Sequence, residues 1–279
     1  MDSVVGFGPQ DHLCLAFDDV ASFASQAEVF LADGLAQGLQ VRYVTAGPVD
    51  EAAAVRERLV EALPPGREHA VQISSIAGSY GLGQLISADE QVDTYAKCTS
   101  NALAAGFAGF RVAVDVTPLV GTAEQLDSFA RYEHLIDRYM CGHPFSAMCA
   151  YDRKVLGADA VAEVACMHPV SNAATMFRWH AGCTPRSGAD VVDLTLAGEV
   201  DASVRSLFRG ALRRTAVAPG QTIVLDLSSL DFIDHRALAE LDTLGRRHDI
   251  AVELRNPGYL VTRIARLMNL THVSVGGRA

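Results

Sequence analysis

The sequence predicts an α/β protein made of two domains, and three observations lead to that prediction. Short apolar runs typical of strands alternate with amphipathic patterns of helical period along most of the chain. This alternation stops once, over residues 168–188, where several glycine and proline residues interrupt it. A chain of 279 residues is also long enough for two domains of ordinary size. We therefore expect one domain over residues 1–181 and another over 190–279, with a linker at about 182–189.

The first domain is expected to alternate strands with helices. Apolar runs predict strands at 13–17, 41–46, 71–76, 110–116 and 145–151. The helix after the first strand carries apolar residues from Val20 to Leu35 at helical spacing and should end at Gly38. The remaining helices are predicted at 51–63, at 88–105, at 122–140 and from after 151 to near 166. Thr122 and Gln125 form a capping-box pattern that marks the start of one of them.

The second domain shows a shorter version of the same alternation. Its strands are predicted at 191–197, 222–227, 251–255 and 272–275. Its helices are predicted at 203–215, 235–247 and 258–268, and the first of them has one clean apolar face. We therefore expect a small single-sheet domain with helices packed on it.

Composition and charge exclude several classes of function. Hydrophobic residues make up 49% of the chain and charged residues 20%, which argues against long disordered regions. The net charge is −10, and residues 1–185 hold 22 of the acidic but only 11 of the basic side chains, so binding of nucleic acid is not expected. No apolar run is long enough to span a membrane, and no secretory signal is visible. Six scattered cysteines are typical of reduced thiols, so we expect a cytoplasmic protein without a membrane partner.

The second domain carries a specific family resemblance over residues 190–276. The matching segments are 196–201, 224–234, the helix that holds Leu238 and Leu241, and the terminal helix 261–270. In order and spacing they resemble a STAS domain, the fold of anti-sigma factor antagonists. The resemblance implies a STAS-type β-sheet domain packed with helices, whose partner is a protein of the anti-sigma factor class or a related regulatory class.

The phosphorylation site of that family is altered in this sequence. In the family a partner kinase phosphorylates a serine or threonine that follows the position of Asp234, at a helix N-terminus that suits a phosphate. Here His235, Arg236 and Ala237 occupy the matching positions, and none carries a hydroxyl. We expect Asp201, Asp234, His235 and Arg236 to bind a partner without control by phosphate. Alternatively, Asp234 only caps its helix.

The first domain lacks a phosphate loop where a nucleotide-binding α/β protein would have one. The turn after the first strand reads Asp18-Asp19, with no glycine string and no lysine, and two carboxylates would repel a phosphate. Six segments resemble the MEDS family of sensory domains: 12–17, 106–117, 132–133, 137–139, 149–153 and 168–169. The resemblance implies a RecA-like α/β sensor domain that lacks the phosphate loop and recognises a small molecule.

Several residues of the first domain are candidates for binding such a molecule. Asp115 and Tyr151 lie where predicted strands end, at the sheet edge where ligands of open α/β sheets bind. Tyr80 lies in a glycine-containing loop that could cover a pocket. The full set of candidates is His12, Cys14, Phe17, Tyr80, Asp115, Glu133, Tyr151 and His168. The alternatives are that Asp115 caps a turn and that most of the aromatic residues form core.

Short His/Cys pairs leave a second interpretation open. Histidine and cysteine are the usual ligands of zinc, and an exposed thiol of lowered pKa could act as a redox sensor. The residues concerned are Cys14, Cys141, His143, Cys166 and His168. The pairs are far apart in sequence, however, and residues two apart in a strand share one face, which also suits a buried core. We therefore expect no metal and no cofactor, with a metal- or thiol-based redox regulator as the alternative.

Together these observations predict a non-enzymatic sensor and regulatory protein. A hydrolase or transferase that uses Asp115, Glu133 and His168 is a further alternative, because acid and base groups are present. The sequence contains no serine elbow, nucleophile motif or nucleotide loop that would support it.

Overall fold

A computed structural model describes residues 4–81, 85–183 and 190–276, and the chain forms two compact units. The first unit runs to Ala165 and also includes Val170–Ala173. The second unit comprises Cys166–Pro169 and the chain from Ala174 onward. Each unit has its own sheet and its own apolar core. None of the helices in the described residues is long and apolar enough to cross a membrane.

The first unit is built on a six-stranded sheet in which every strand pairing is parallel. Its strands are β1 (His12–Phe17), β2 (Gln40–Thr45), β3 (Val71–Ser75), β4 (Phe110–Asp115), β5 (Phe145–Asp152) and β6 (Val170–Ser171). They are arranged in the order β3-β2-β4-β5-β1-β6. Strands β1, β4 and β5 are buried almost throughout, as expected for continuous apolar runs in the middle of a parallel sheet.

Helices cover both faces of this sheet. They are α1 (Val20–Ala36), α2 (Ala53–Glu61), α3 (Ile76–Ser79), α4 (Ala88–Ala104), α5 (Ala123–Met140) and α6 (Arg153–Ala165). Helices α1 and α2 share one apolar cluster with the sheet, and α4, α5 and α6 share another. Helix α6 is interrupted at Gly157, where φ is +81°, a conformation that favours glycine. Thr122 and Gln125 form the predicted capping box at the start of α5.

The second unit has a mostly parallel sheet with one antiparallel strand. Its strands are β7 (Phe177–Ala181), β8 (Val191–Val200), β9 (Thr222–Asp226), β10 (Leu230–Ile233), β11 (Ala251–Arg255) and β12 (Val273–Val275). The order is β10-β8-β9-β11-β12, and β7 pairs antiparallel with β8. Its helices are α7 (Arg205–Arg214), α8 (His235–His248) and α9 (Tyr259–Met268). The fold of the whole chain is therefore the predicted α/β class.

The structure divides the chain earlier than the predicted boundary at 181. Strand β7 belongs to the sheet of the second unit, because Trp179 packs edge-on against Phe208 and donates a hydrogen bond from Nε1 to Thr215 Oγ1 at 3.0 Å. The apolar character of 176–179 is visible in the sequence, but its partner strand is not. Residues 184–189 of the predicted linker lie outside the described residues.

Candidate functional site

His12, at the start of β1, is held at both ring nitrogens by carboxylates of α5. Its Nε2 lies 3.0 Å from Glu133 Oε2, and its Nδ1 lies 3.3 Å from Asp137 Oδ1. Glu133 and Asp137 are four residues apart, so they project from the same side of the helix. All three side chains are buried.

These two carboxylates decide the charge of His12. Burial alone would lower the pKa of the imidazole, but the hydrogen bonds and negative charges of Asp137 and Glu133 outweigh it and raise the pKa to about 9. His12 is therefore an imidazolium at neutral pH.

Strand β5 adds two more polar groups to the same place. The Tyr151 hydroxyl donates to Glu133 Oε1 at 2.6 Å, and the Cys149 thiol donates to Glu133 Oε2 at 3.5 Å. The Cys149 Sγ also lies 3.7 Å from His12 Nε2. Residues two apart in a strand share a face, which brings Cys149 and Tyr151 to one side of the sheet. Burial and the negative charge of Glu133 raise the pKa of the Cys149 thiol and of the Tyr151 hydroxyl well above their usual values. Both groups therefore keep their protons.

We call this set the buried polar cluster: His12, Glu133, Asp137, Cys149 and Tyr151. It is formed by one helix and two adjacent strands and lies among the apolar side chains packed between the sheet and α4–α6. Its nitrogen, oxygen and sulfur atoms can exchange hydrogen bonds with a small polar ligand or coordinate a metal ion.

Two other predicted ligand-binding residues lie on β1. Cys14 is buried, shares the sheet face of His12, and pairs in register with Cys149. Phe17 lies on the opposite face, where its ring stacks on Phe23 with centroids 5.4 Å apart. The odd spacing between His12 and Phe17 separates them, because side chains alternate across a strand.

Asp115 and Tyr80 are not members of the buried polar cluster, although Tyr80 packs against the same apolar core. Asp115 ends β4 and accepts a hydrogen bond from the Thr117 N–H at 3.1 Å, and burial raises the pKa of its carboxyl. This geometry matches the alternative that Asp115 caps a turn. Tyr80 is half-buried, and its hydroxyl lies 2.8 Å from that of Tyr95. Tyr95 lines a groove of about 500 Å³ beside β3 and α4, together with Arg42.

The other residues of the metal alternative lie at the C-terminal end of α5 and in the segment Cys166–Pro169. His143 is exposed and stacks on Tyr139 with ring centroids 3.9 Å apart. Cys141, the C-cap residue of α5, is disulfide-bonded, so it is neither a metal ligand nor one of the reduced thiols expected from the sequence. Cys166 and His168 are buried in the segment Cys166–Pro169, which belongs to the second unit.

The turn after β1 contains the two carboxylates that the sequence places there. Asp19 caps α1 by accepting a hydrogen bond from the Ser22 N–H at 2.7 Å. Asp18 pairs with Arg153 through both carboxylate oxygens. The acidic turn is thus occupied by a helix cap and an ion pair and does not form a phosphate cradle.

In the second unit, the candidate partner-binding residues lie near the N-terminal end of α8. Asp234 is the N-cap: its carboxylate accepts from the Ala237 N–H at 2.7 Å and from Arg205 Nη2 at 2.8 Å. Partial burial alone would raise the pKa of Asp234, but these two donors outweigh it and lower the pKa. His235 and Arg236 are exposed.

The residues next to this helix end complete a surface. Phe232 on the edge strand β10 is 49% exposed. Asp201 follows β8, the strand that pairs with β10, and accepts hydrogen bonds from the N–H and hydroxyl of Ser203. We call Phe232, Asp234, His235 and Arg236 the α8 surface.

Some of these residues were not identified from the sequence. Cys149 was not among the candidates, although its spacing from Tyr151 places both on one strand face. Asp137 could have been found from its spacing of four from Glu133 on an amphipathic helix. Nothing in the sequence indicates that Arg205 reaches Asp234, because that contact depends on how β8, β10 and α7 pack.

The fold and these sites define a two-domain regulatory protein with a sensory domain. A family model described as the MEthanogen/methylotroph, DcmR Sensory domain, MEDS, matches residues 11–169, more than half of the chain. The chain belongs to the MEDS family. A second family model, described as Mlab, STAS domain, matches residues 183–275. Both predicted resemblances are thereby confirmed. A search of curated proteins gives no match to the chain.

Proposed function

We propose that this chain is a non-enzymatic regulator that acts in the cytoplasm. Its first domain recognises a small molecule, and its second domain binds a protein partner of the anti-sigma factor class or a related regulatory class. The observation that carries the proposal is the α8 surface, where Arg236 is exposed at a helix N-terminus that offers no hydroxyl for a kinase.

The composition of the α8 surface suits protein binding. Phe232 offers an exposed aromatic ring on an edge strand, and Arg236 offers a cation close by in the chain. Aromatic and arginine side chains contribute a large share of the energy at protein interfaces. The carboxylate of Asp234 is already engaged with Ala237 and Arg205, so it supports the geometry of the surface more than it offers a free charge.

The first domain is suited to recognition more than to catalysis. The polar groups of its core are held by one another, with Glu133 accepting from both Tyr151 and Cys149. A reactive thiol requires exposure and a lowered pKa, whereas Cys149 is buried and its pKa is raised. This argues against the thiol-based redox alternative at this position.

The proposal is tested with the full chain. Partners are captured from native lysate, identified by mass spectrometry and purified, and the dissociation constant is measured for wild type, Phe232→Ser and Arg236→Glu. Each of the two variants should bind at least about 10-fold more weakly, since loss of a central interface anchor costs about 2 kcal/mol or more.

The matched control is Leu267→Ser on α9, where the leucine is 77% exposed and belongs to a helix next to the opposite edge strand. This variant should bind as wild type does. Equal affinity of all four proteins for a captured regulator would contradict the proposed surface.

A further inference from the structure

Three side chains of the types that bind transition metals meet in the core of the first unit. His12 Nε2, Glu133 Oε2 and Cys149 Sγ come from β1, α5 and β5, and all three residues are buried. Their ligand atoms all lie within 4.8 Å of one another. Neither the predicted His/Cys pairs nor the proposed function includes this combination of a nitrogen, an oxygen and a sulfur donor.

The separations fit a shared ion. The three atoms form a triangle with sides of 3.0, 3.5 and 3.7 Å, and the point equidistant from its corners lies about 2.0 Å from each. Zinc binds imidazole nitrogen and carboxylate oxygen at ~2.0–2.2 Å and thiolate sulfur at ~2.3 Å, which puts neighbouring ligand atoms of a tetrahedral site about 3.3–3.7 Å apart. An ion slightly out of the plane of the triangle would satisfy all three distances.

The surrounding hydrogen bonds orient the ligands in the way that metal sites need. Asp137 Oδ1 lies 3.3 Å from Nδ1 of His12, on the side of the ring away from the other two ligand atoms. A carboxylate that is hydrogen-bonded to the second nitrogen of a ligand histidine fixes the tautomer of the imidazole and raises the basicity of the nitrogen that binds the metal. Tyr151 donates to Glu133 Oε1 and leaves Oε2 directed toward His12 and Cys149.

The charges of the two anionic ligands also balance that of the ion, and Asp137 keeps the negative charge that it has without metal. A Cys149 thiolate and a Glu133 carboxylate together carry two negative charges, which a divalent cation neutralises in an apolar core where unbalanced charge is costly. On binding, the metal replaces the thiol proton of Cys149 and the Nε2 proton of His12, and both protons pass to solvent.

We propose that His12, Glu133 and Cys149 bind a zinc ion in the first domain, with Asp137 and Tyr151 as its supporting hydrogen-bond partners. Mixed nitrogen, oxygen and sulfur donors favour zinc over magnesium or calcium, which prefer oxygen alone. This site goes beyond the proposed function and stands without it.

The test begins with the metal content of the full chain. Protein produced with zinc in the medium is dialysed against metal-free buffer and analysed by inductively coupled plasma mass spectrometry, and about one bound zinc per chain is expected. A chromophoric zinc chelator then gives the affinity by competition. Cys149→Ser should bind at least about 100-fold more weakly, and Asp137→Asn about 10- to 100-fold more weakly.

Cys98→Ser is the matched control, because Cys98 is a half-buried thiol of the same unit that accepts a hydrogen bond from Arg42 and is not part of the buried polar cluster. It should retain the wild-type affinity. Replacing zinc by Co²⁺ adds a spectroscopic readout: a thiolate-to-cobalt absorption band should be present in wild type and Cys98→Ser and absent in Cys149→Ser.

Wild-type protein that is folded by circular dichroism but retains no zinc would overturn the proposal. So would a Cys149→Ser protein with unchanged zinc affinity and an unchanged cobalt band. If Cys149→Ser does not fold, Asp137→Asn decides, and wild-type affinity in that variant counts against the site. Partner binding enters none of these readouts, so their failure is distinct from failure of the proposed function.

Discussion

The two units differ in where they keep their charged and histidine side chains. Among the described residues, the first unit buries six of these side chains: His12, Arg111, Asp115, Glu133, His134 and Asp137. The second unit buries two, His168 and Arg214, and its candidate binding residues are half-buried or exposed. The difference indicates that the first unit places its chemistry in its core, whereas the second places it on its surface.

Buried charged groups limit which substitutions a core tolerates more than apolar packing does, because each charged group needs its own partners. Arg111 illustrates this: its guanidinium donates to the Phe30 and Gly8 carbonyls and pairs with Asp33. A Cβ at Gly34 would lie only 2.7 Å from Arg111 Cδ, so a glycine is required beside the arginine. Substitutions of the buried charged groups of the first unit should therefore affect folding, and those of Phe232 and Arg236 on the α8 surface should affect binding.

The largest expected effect comes from Glu133→Ala, which leaves the His12 cation and the Tyr151 hydroxyl without their shared acceptor. Breaking a buried ion pair from one side costs about 3–5 kcal/mol in the free energy of unfolding. Urea unfolding in the presence of a chelator measures it. Tyrosine signals report the first unit, which holds six of the seven tyrosines, and fluorescence of the single tryptophan, Trp179, reports the second.

The tyrosine-detected transition should shift further than the tryptophan-detected one. Glu61→Ala, at an exposed position on α2, should leave both transitions where they are. A Glu133 variant as stable as Glu61→Ala would contradict the view that the core of the first unit depends on its charges.

A smaller effect on stability is expected from His134→Gln. His134, the neighbour of Glu133 in sequence, differs from His12 in its pKa. Burial, helped by the charge of Arg138, lowers the pKa of His134 to about 4. Between pH 6.5 and 4 the unfolded chain binds a proton that the folded chain does not, so the stability from this group is complete above pH 6.5 and is lost as the pH falls toward 4.

Wild type should therefore lose up to about 3 kcal/mol more than His134→Gln over that pH range, measured by urea unfolding at a series of pH values. His143→Gln, at an exposed histidine, should follow the wild-type profile. Parallel profiles for wild type and His134→Gln would show that this imidazole is not held neutral.

The smallest effect is expected on the surface of the second unit. Asp234→Ala removes the N-cap of α8 and should cost about 1 kcal/mol, detected by Trp179 fluorescence during urea unfolding. Asp234→Asn keeps an acceptor oxygen for the Ala237 N–H and should cost much less. A loss in Asp234→Asn as large as in Asp234→Ala would assign the stability to the ion pair with Arg205 in place of the cap.

The sequence predicts the fold well because local signals are strong in both units. The capping box at Thr122 and the continuous apolar run of β4 are each determined by nearby residues. Strands β7 and β10 were not predicted, because they are short and become recognisable only by their pairing with β8. The boundary between the units depends on the same long-range pairing.

The site could be predicted only in part. His12, Glu133 and Tyr151 were candidates from the sequence, but their meeting depends on the parallel register of β1 with β5 and on the rotation of α5 over them. Cys149 carries no local signal that separates a ligand thiol from a small core residue. Phe17 and His12 were both candidates for the same ligand site, whereas strand alternation places them on opposite faces of the sheet.

The central claim is that the α8 surface binds its partner without control by phosphorylation at position 236. The most direct test is to incubate the full chain with its captured partner and MgATP. Intact mass spectrometry then reports any added phosphate, and the dissociation constant is measured before and after. The account predicts no added phosphate and an unchanged dissociation constant for wild type, with Arg236→Ser gaining phosphate and binding more weakly. A phosphate on wild type, accompanied by weaker binding, would contradict it.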